Sequence, residues 1–228
     1  VAVKQPFNVS ESNGLTRGAL QDTVVLPFNE IEPVSRVLKK ERLAAVFIEP
    51  LLGSGGCIPA QINFLKELRE LCTENGTLLV FDEVITGFRL ASGGAQEYFG
   101  IEPDVTVLGK ILGGGFPIGA IAASREIMEH MNPLLYERPK FSFQGGTFCA
   151  NPITATAGLA TLKILQDGKL IARLNKRGDK LRKQLKDVFE RKDMGVQITG
   201  LGSLWHTHFT KESIQDSNVV ARADNKKL

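Results

Sequence analysis

Thr77-Leu78-Leu79-Val80-Phe81-Asp82-Glu83-Val84 is the stretch on which the fold turns. Its apolar run from Leu78 to Phe81 reads as a buried strand, delivering a carboxylate to its end. Just upstream, Gln61 to Asn75 puts Ile62, Leu65, Leu68, Leu71 and Cys72 on one helical stripe. Lys66, Glu67, Arg69 and Glu70 face water on the other side, and Gly76 follows as the left-handed residue that ends the helix. Before the helix, Ala44-Ala45-Val46-Phe47-Ile48 is a second continuous apolar run, the mark of a strand covered on both sides. Strand, helix and strand in this order make a βαβ unit, whose strands must be parallel.

Working outward, Asp104 to Leu108 supplies a further strand and Gly119 to Ala123 another apolar segment. Residues 1 to 29 are polar and turn-rich, with a short strand expected at Thr23 to Leu26. Ile31 to Glu41 carries Ile31, Val34, Val37 and Leu38 at helical spacing. Pro152 to Gln166 reads as a long helix with Ile153, Thr156, Leu159, Leu162 and Ile164 or Leu165 inside. Lys169 to Lys192 continues as amphipathic helix around Leu170, Leu174, Leu181, Leu185, Val188 and Phe189. Val196 to Ile198 and Ser203 to Phe209 read as short strands of an α+β appendage. The expected division is a large domain over 1–168 and part of a small one over 169–228, with the boundary near residues 165 to 175.

The 228 residues can bury a substantial core, and no apolar stretch is long enough to span a bilayer. A net charge of +3, scattered along the chain, gives no footprint for nucleic acid. The basic residues between Lys163 and Lys192 are interleaved with Asp and Glu, which reads as a solvated helix face. Three cysteines, Cys57, Cys72 and Cys149, lack metal-ligand spacing and read as reduced thiols of a cytoplasmic protein. Asn8-Val9-Ser10 matches a glycosylation acceptor but follows nothing like a signal peptide. The chain starts without Met and reads as a fragment or an incomplete chain. His206 and His208 share one face of a strand, but no Asp, Glu or Cys is near enough in sequence to complete a metal site; packing or pocket lining is the expected role.

The chemistry comes from two strand ends. Lys110 closes the apolar run Asp104-Val105-Thr106-Val107-Leu108-Gly109 and is followed by Ile111-Leu112-Gly113-Gly114-Gly115. Ligands of an open parallel sheet bind outside the carboxyl ends of its strands, so Asp82 and Lys110 are expected to meet in one crevice. Singly, each has a plain structural reading, as a cap or a solvated loop residue. Together, an amine and a carboxylate so placed are what pyridoxal phosphate requires. The carboxylate keeps the ring nitrogen protonated, and the amine holds the aldehyde carbon and later shuttles protons. Partial burial of Lys110 is expected to keep its amine neutral. The three glycines are expected to let backbone pass behind lysine and cofactor without a Cβ in the way. Gln144-Gly145-Gly146-Thr147 precedes Asn151-Pro152, where Pro152 suits the first turn of a helix and Thr147 can offer a hydroxyl and an N–H to an anion.

Three stretches, Phe81-Asp82-Glu83-Val84-Ile85-Thr86-Gly87-Phe88-Arg89, Leu108-Gly109-Lys110 with its glycines, and Gly145-Gly146-Thr147-Phe148-Cys149-Ala150-Asn151-Pro152, resemble class III pyridoxal-phosphate aminotransferases in order and spacing. Within that family, Gly94-Ala95-Gln96-Glu97-Tyr98-Phe99-Gly100 is similar to the branch of glutamate-1-semialdehyde aminomutases. The resemblance implies the type I fold, a mostly parallel sheet in a large domain with a smaller C-terminal α+β domain. It implies that Lys110 is the Schiff-base lysine, Asp82 the partner of the pyridine nitrogen, and Val84 a contact to one face of the ring. Thr147 would bind the cofactor phosphate of the neighbouring subunit, hence a homodimer with shared sites.

The implied substrate is a small amino acid or aldehyde, with no nucleic acid or membrane partner. The implied reaction is an intramolecular amino shift; the alternatives are ω-amino acid:2-oxo acid aminotransfer and a non-catalytic truncated chain. Glu49-Pro50-Leu51-Leu52-Gly53-Ser54-Gly55-Gly56 departs from the many two-substrate members that carry Glu where Ser54 stands, which favours the aminomutase branch; aminomutases often carry Asn there, so the exact substrate stays open. The family's N-terminal phosphate loop and stacking aromatic have no counterpart in residues 1 to 43. The chain is therefore expected to begin midway through the large domain and to stop within the small one.

Overall fold

The computed structural model describes residues 13–135 and 141–223. In chain order come helices α1 (Arg17–Gln21) and α2 (Ile31–Leu38), strands β1 (Ala45–Ile48), β2 (Leu51–Leu52) and β3 (Ile58–Pro59), and helix α3 (Ile62–Glu74). Strand β4 (Leu78–Asp82), helix α4 (Gly94–Phe99), strands β5 (Val105–Gly109) and β6 (Gly119–Ala123), and helices α5 (Arg125–Glu129) and α6 (Pro152–Leu165) follow. Next are helix α7 (Lys169–Arg191), strands β7 (Gln197–Leu201) and β8 (Leu204–His208), and helix α8 (Ser217–Arg222). The chain divides into two compact units.

One unit comprises Leu43–Pro50 and Cys72–Leu174 and is built on a four-stranded sheet in the order β1-β4-β5-β6. Strand β4 is parallel to β1 and to β5, while β6 runs antiparallel to β5. The βαβ connection read from the sequence is present. Its helix ends at Gly76, where φ is +63°, Thr77 N–H donates to Cys72 O (2.9 Å), and Gly76 N–H donates to Thr73 O (3.2 Å). Those two bonds are the Schellman pattern, and they turn the chain directly into β4. Leu79 and Phe81 are fully buried. Asp104 ties the starts of two strands together: its Oδ2 accepts from Leu79 N–H (2.7 Å) and its own N–H donates to Leu79 O (2.8 Å). Coverage of β1 on both sides is not found. Phe47 is 73% exposed, because β1 is the edge strand of the described sheet and has fewer neighbours.

The other unit comprises residues 13–42, Leu51–Leu71 and 175–223, with antiparallel pairs β2-β3 and β7-β8. Phe28 meets Phe64 edge to face at 5.9 Å, and Asn29 bridges to Pro59 O (3.2 Å) and Gln61 N–H (2.8 Å). On α3, Phe64, Leu65 and Leu68 are buried, whereas Ile62, expected inside, is exposed. The strand expected at Thr23 to Leu26 is irregular. The preceding residues form α1 instead, the Thr23 hydroxyl donates to Ala19 O (2.8 Å), and Pro27 cannot donate to a ladder. Gly178 of α7 lies against the β7–β8 turn so closely that a Cβ would stand 2.2 Å from Gly202 O. The Asn8-Val9-Ser10 motif lies outside the described residues.

Candidate active site

Because β4 and β5 are parallel neighbours, their carboxyl ends lie at the same edge of the sheet. Asp82 is the last residue of β4 and is paired with Val107; Lys110 follows Gly109, the last residue of β5. The structure thus brings the expected carboxylate and amine to one edge, on adjacent strands. Asp82 is half-buried, and its Oδ1 accepts from Val84 N–H at 3.0 Å; Oδ2 accepts no hydrogen bond among the described residues. Val84 stands beside them: a Cβ on Gly109 would come within 3.3 Å of its Cγ1 and 3.4 Å of Ile118 O. A bare backbone at Gly109 is what lets the strand end sit beside Val84.

Lys110 opens a 3₁₀ turn, Lys110–Gly113, with φ +45°. A non-glycine residue in this left-handed region carries strain that the surroundings must hold. The expected burial of its amine is not found. Lys110 is exposed, because the turn carries it off the end of the sheet.

The glycines after it serve a different neighbour from the one expected. A Cβ on Gly114 (φ +60°) would lie 2.5 Å from Ala157 O and 2.6 Å from Thr161 Oγ1, and one on Gly158 would lie 2.3 Å from Leu112 O. Close packing of α6 on the lysine turn therefore excludes side chains at both positions. This also turns α6 over relative to the sequence reading. Thr154 and Gly158 are buried, while Ile153, Leu159 and Ile164 are exposed at 66%, 56% and 64%. Small residues face inward because the turn approaches within backbone distance.

Thr147 lies in the turn that leads into α6, exposed, with no hydrogen bond to Asp82, Val84 or Lys110 among the described residues. The helix start itself is as expected: Asn151 caps Thr154 N–H at 3.0 Å and Pro152 is the first helical residue.

Glu83 is a residue the sequence reading passed over. It is 1% exposed, and its carboxylate accepts from Ala95 N–H, Thr86 Oγ1 (3.0 Å), Gln96 N–H (3.2 Å) and Gln96 Nε2 (3.1 Å). The signal available was a charge placed directly after a buried run, with Gly-Gly some ten residues on.

In the other unit, Ser54 sits exposed at the loop between β2 and β3. The same loop's Gly56 O accepts from Thr199 Oγ1 (2.5 Å) and lies 3.1 Å from His208 Nε2. His208 is fully buried and stacks near His206, ring centroids 4.5 Å apart, so packing is its evident task. No group of three or more His, Cys, Asp or Glu side chains among the described residues is placed to hold a metal. None of the described helices is long and apolar enough to cross a membrane.

Comparison with known proteins adds the following. A family model described as aminotransferase class III matches residues 4–228. A glutamate-1-semialdehyde 2,1-aminomutase from Methanothermobacter thermautotrophicus is 41% identical over 216 residues, 94% of this chain and 50% of that protein. Among solved structures, an omega-transaminase from Sphaerobacter thermophilus superposes with TM-score 0.85 at 39% identity, covering 92% of this chain and 48% of that one. A transaminase with PLP bound superposes with TM-score 0.78 at 33% identity, covering 86% and 46%. The chain spans about half the length of the curated relatives it matches.

Proposed function

The chain belongs to the class III aminotransferase family and has the type I fold of pyridoxal-phosphate-dependent transferases, and from that premise we propose that it moves an amino group with pyridoxal phosphate. The preferred reaction is an intramolecular shift on a small amino-aldehyde such as glutamate-1-semialdehyde. The observation that carries the reading is the placement of Asp82 and Lys110 at the carboxyl ends of adjacent parallel strands, with Val84 beside them.

The residues present fit the cofactor. Asp82 keeps one oxygen without a protein partner among the described residues, Lys110 offers a primary amine, and Val84 offers an apolar surface. When bound, pyridoxal phosphate supplies an electron sink for the carbon that bears the nitrogen. Asp82 would hold the proton on the ring nitrogen through a charge-assisted hydrogen bond. The Lys110 amine would hold the cofactor at its carbonyl carbon, and the same amine would carry a proton between the two reacting carbons. Thr147 would hold the cofactor phosphate of the partner subunit, so the working form is a homodimer. The apolar residues exposed on the turn and on α6, among them Phe143, Phe148 and Ile153, support such an interface. Cys57, Cys72 and Cys149 are not joined in disulfides, which suits the reducing cytoplasm.

A second reading, transfer of an ω-amino group to a 2-oxo acid, is favoured by one observation: the omega-transaminase is about as similar to this chain as the aminomutase. Ser54, where many two-substrate members carry Glu, favours the first. Reduction of the cofactor-loaded chain with borohydride, followed by peptide mapping, should put the label on Lys110. Label on another lysine with Lys110 free overturns the mechanism. Semialdehyde isomerised without co-substrate, against 2-oxoglutarate consumed, separates the two reactions.

A further inference from the structure

Asp82 and Glu83 are consecutive at a strand end, so their side chains leave the backbone on opposite sides. Glu83 N–H still donates to Val107 O at 2.9 Å, as the last rung between β4 and its neighbour. On the far side, four donors converge on the Glu83 carboxylate: Ala95 N–H, Gln96 N–H, the Gln96 side-chain amide and the Thr86 hydroxyl. The Gln96 amide also reaches Thr106 Oγ1 at 3.2 Å, which ties the cluster to β5. The Glu83 carbonyl accepts from Gly87 N–H at 2.9 Å. Room for all this comes from missing side chains. A Cβ on Gly94 (φ +75°) would lie 2.2 Å from Glu83 Oε2, and one on Gly87 would lie 2.8 Å from Glu83 O.

A carboxylate withdrawn from water is costly unless donors replace the water. Capping a six-residue helix asks for one acceptor and no buried charge. The carboxylate instead ties Glu83 to Thr86, Ala95 and Gln96, while separate backbone bonds, Glu83 N–H to Val107 O and Gly87 N–H to Glu83 O, hold the peptide units on either side of it. The Asp82 carboxylate, by contrast, has a single hydrogen-bond partner among the described residues, the Val84 N–H, two residues further along the chain.

We infer that Glu83 is a positioning residue: it anchors the Asp82–Val84 backbone from the side away from the cofactor and so aims the Asp82 carboxylate at the ring nitrogen. This rests on the pyridoxal-phosphate reading above.

The test is a double-mutant cycle in the full chain, with Glu83→Gln, Thr86→Val, Asp82→Asn and their pairwise combinations with Asp82→Asn. Three quantities are read: the dissociation constant for pyridoxal phosphate, the pH at which the bound visible absorbance changes, and the unfolding midpoint without cofactor. Gln at 83 would turn an N–H toward donors. It should weaken cofactor binding about tenfold and move the absorbance transition. Thr86→Val, which removes one hydroxyl, should shift both in the same direction by less. In the Asp82→Asn background neither should add anything, since both act through Asp82. Losses that add in the double variants overturn the inference, as does a fall in the unfolding midpoint alone. If Glu83→Gln does not fold, the Thr86→Val cycle decides by the same criteria. A wild-type chain that takes up no pyridoxal phosphate and shows no labelled lysine overturns the cofactor reading and this inference with it, a result distinct from additivity.

Discussion

Lys110 holds a backbone conformation that suits glycine, φ +45°, directly after a strand. The strain at such a position is of order 1 kcal/mol. Lys110→Gly should therefore raise the stability of the cofactor-free chain by about 0.5–1 kcal/mol while abolishing the borohydride-trapped label. Equilibrium denaturation and peptide mapping read the two effects; a destabilised glycine variant would show that the turn is not strained. His208 gives a pH dependence. Burial pushes its pKa below the ordinary value, more than the bond to the Gly56 carbonyl raises it, and the charge of His206 lowers it further. The unfolded histidine thus takes up a proton that the folded one refuses. Its contribution to stability is complete above about pH 6.5 and is lost as the pH falls below that value toward the depressed folded pKa. Thermal unfolding followed from about pH 7.5 to 5 should show a falling midpoint, flattened by His208→Gln. The strand-end placement of Asp82 and Lys110 was legible because strand ends are written locally, and only the two together pointed to a chemistry. Glu83 was not, because its donors come from residues three to thirteen positions away, brought in by a turn with no period.

Among the elements, α6 shows where periodicity misleads. Its sequence is apolar nearly all round, so the 3.6 period could not say which side faces protein. The choice is made by distance: the lysine turn comes so near that only Thr154, Ala157, Gly158 and Thr161 can face it. Gly158→Val would drive a Cβ toward Leu112 O, a backbone atom that cannot step aside. It should cost about 3 kcal/mol in chemical denaturation. A cost under about 0.5 kcal/mol would mean that α6 does not rest on the turn as described. Helix α3, by contrast, was readable almost to the residue, because its polar and apolar faces are distinct and Gly76 ends it. The strand expected at Thr23 to Leu26 failed because a β-rich composition makes a strand only where a partner strand accepts its ladder.

For the whole molecule, the apolar residues left exposed on α6 and the turn before it set the expectation of self-association. Sedimentation velocity should give twice the chain mass, and Ile153→Glu with Leu159→Glu should shift the population toward monomer. Sedimentation as a monomer at all concentrations would sink the homodimer. By itself the sequence determined the parallel βαβ core, the strand-end pair Asp82 and Lys110, and the family, because buried strands, helix stripes and glycine stops are local patterns set by short-range sterics and hydrophobicity. Only the tertiary structure decided which face of α6 is inside, why Gly109, Gly114 and Gly158 lack side chains, and that Glu83 is buried under four donors. Those outcomes depend on separations of a few ångströms between segments far apart in the chain, and no period or composition in one dimension encodes such a distance.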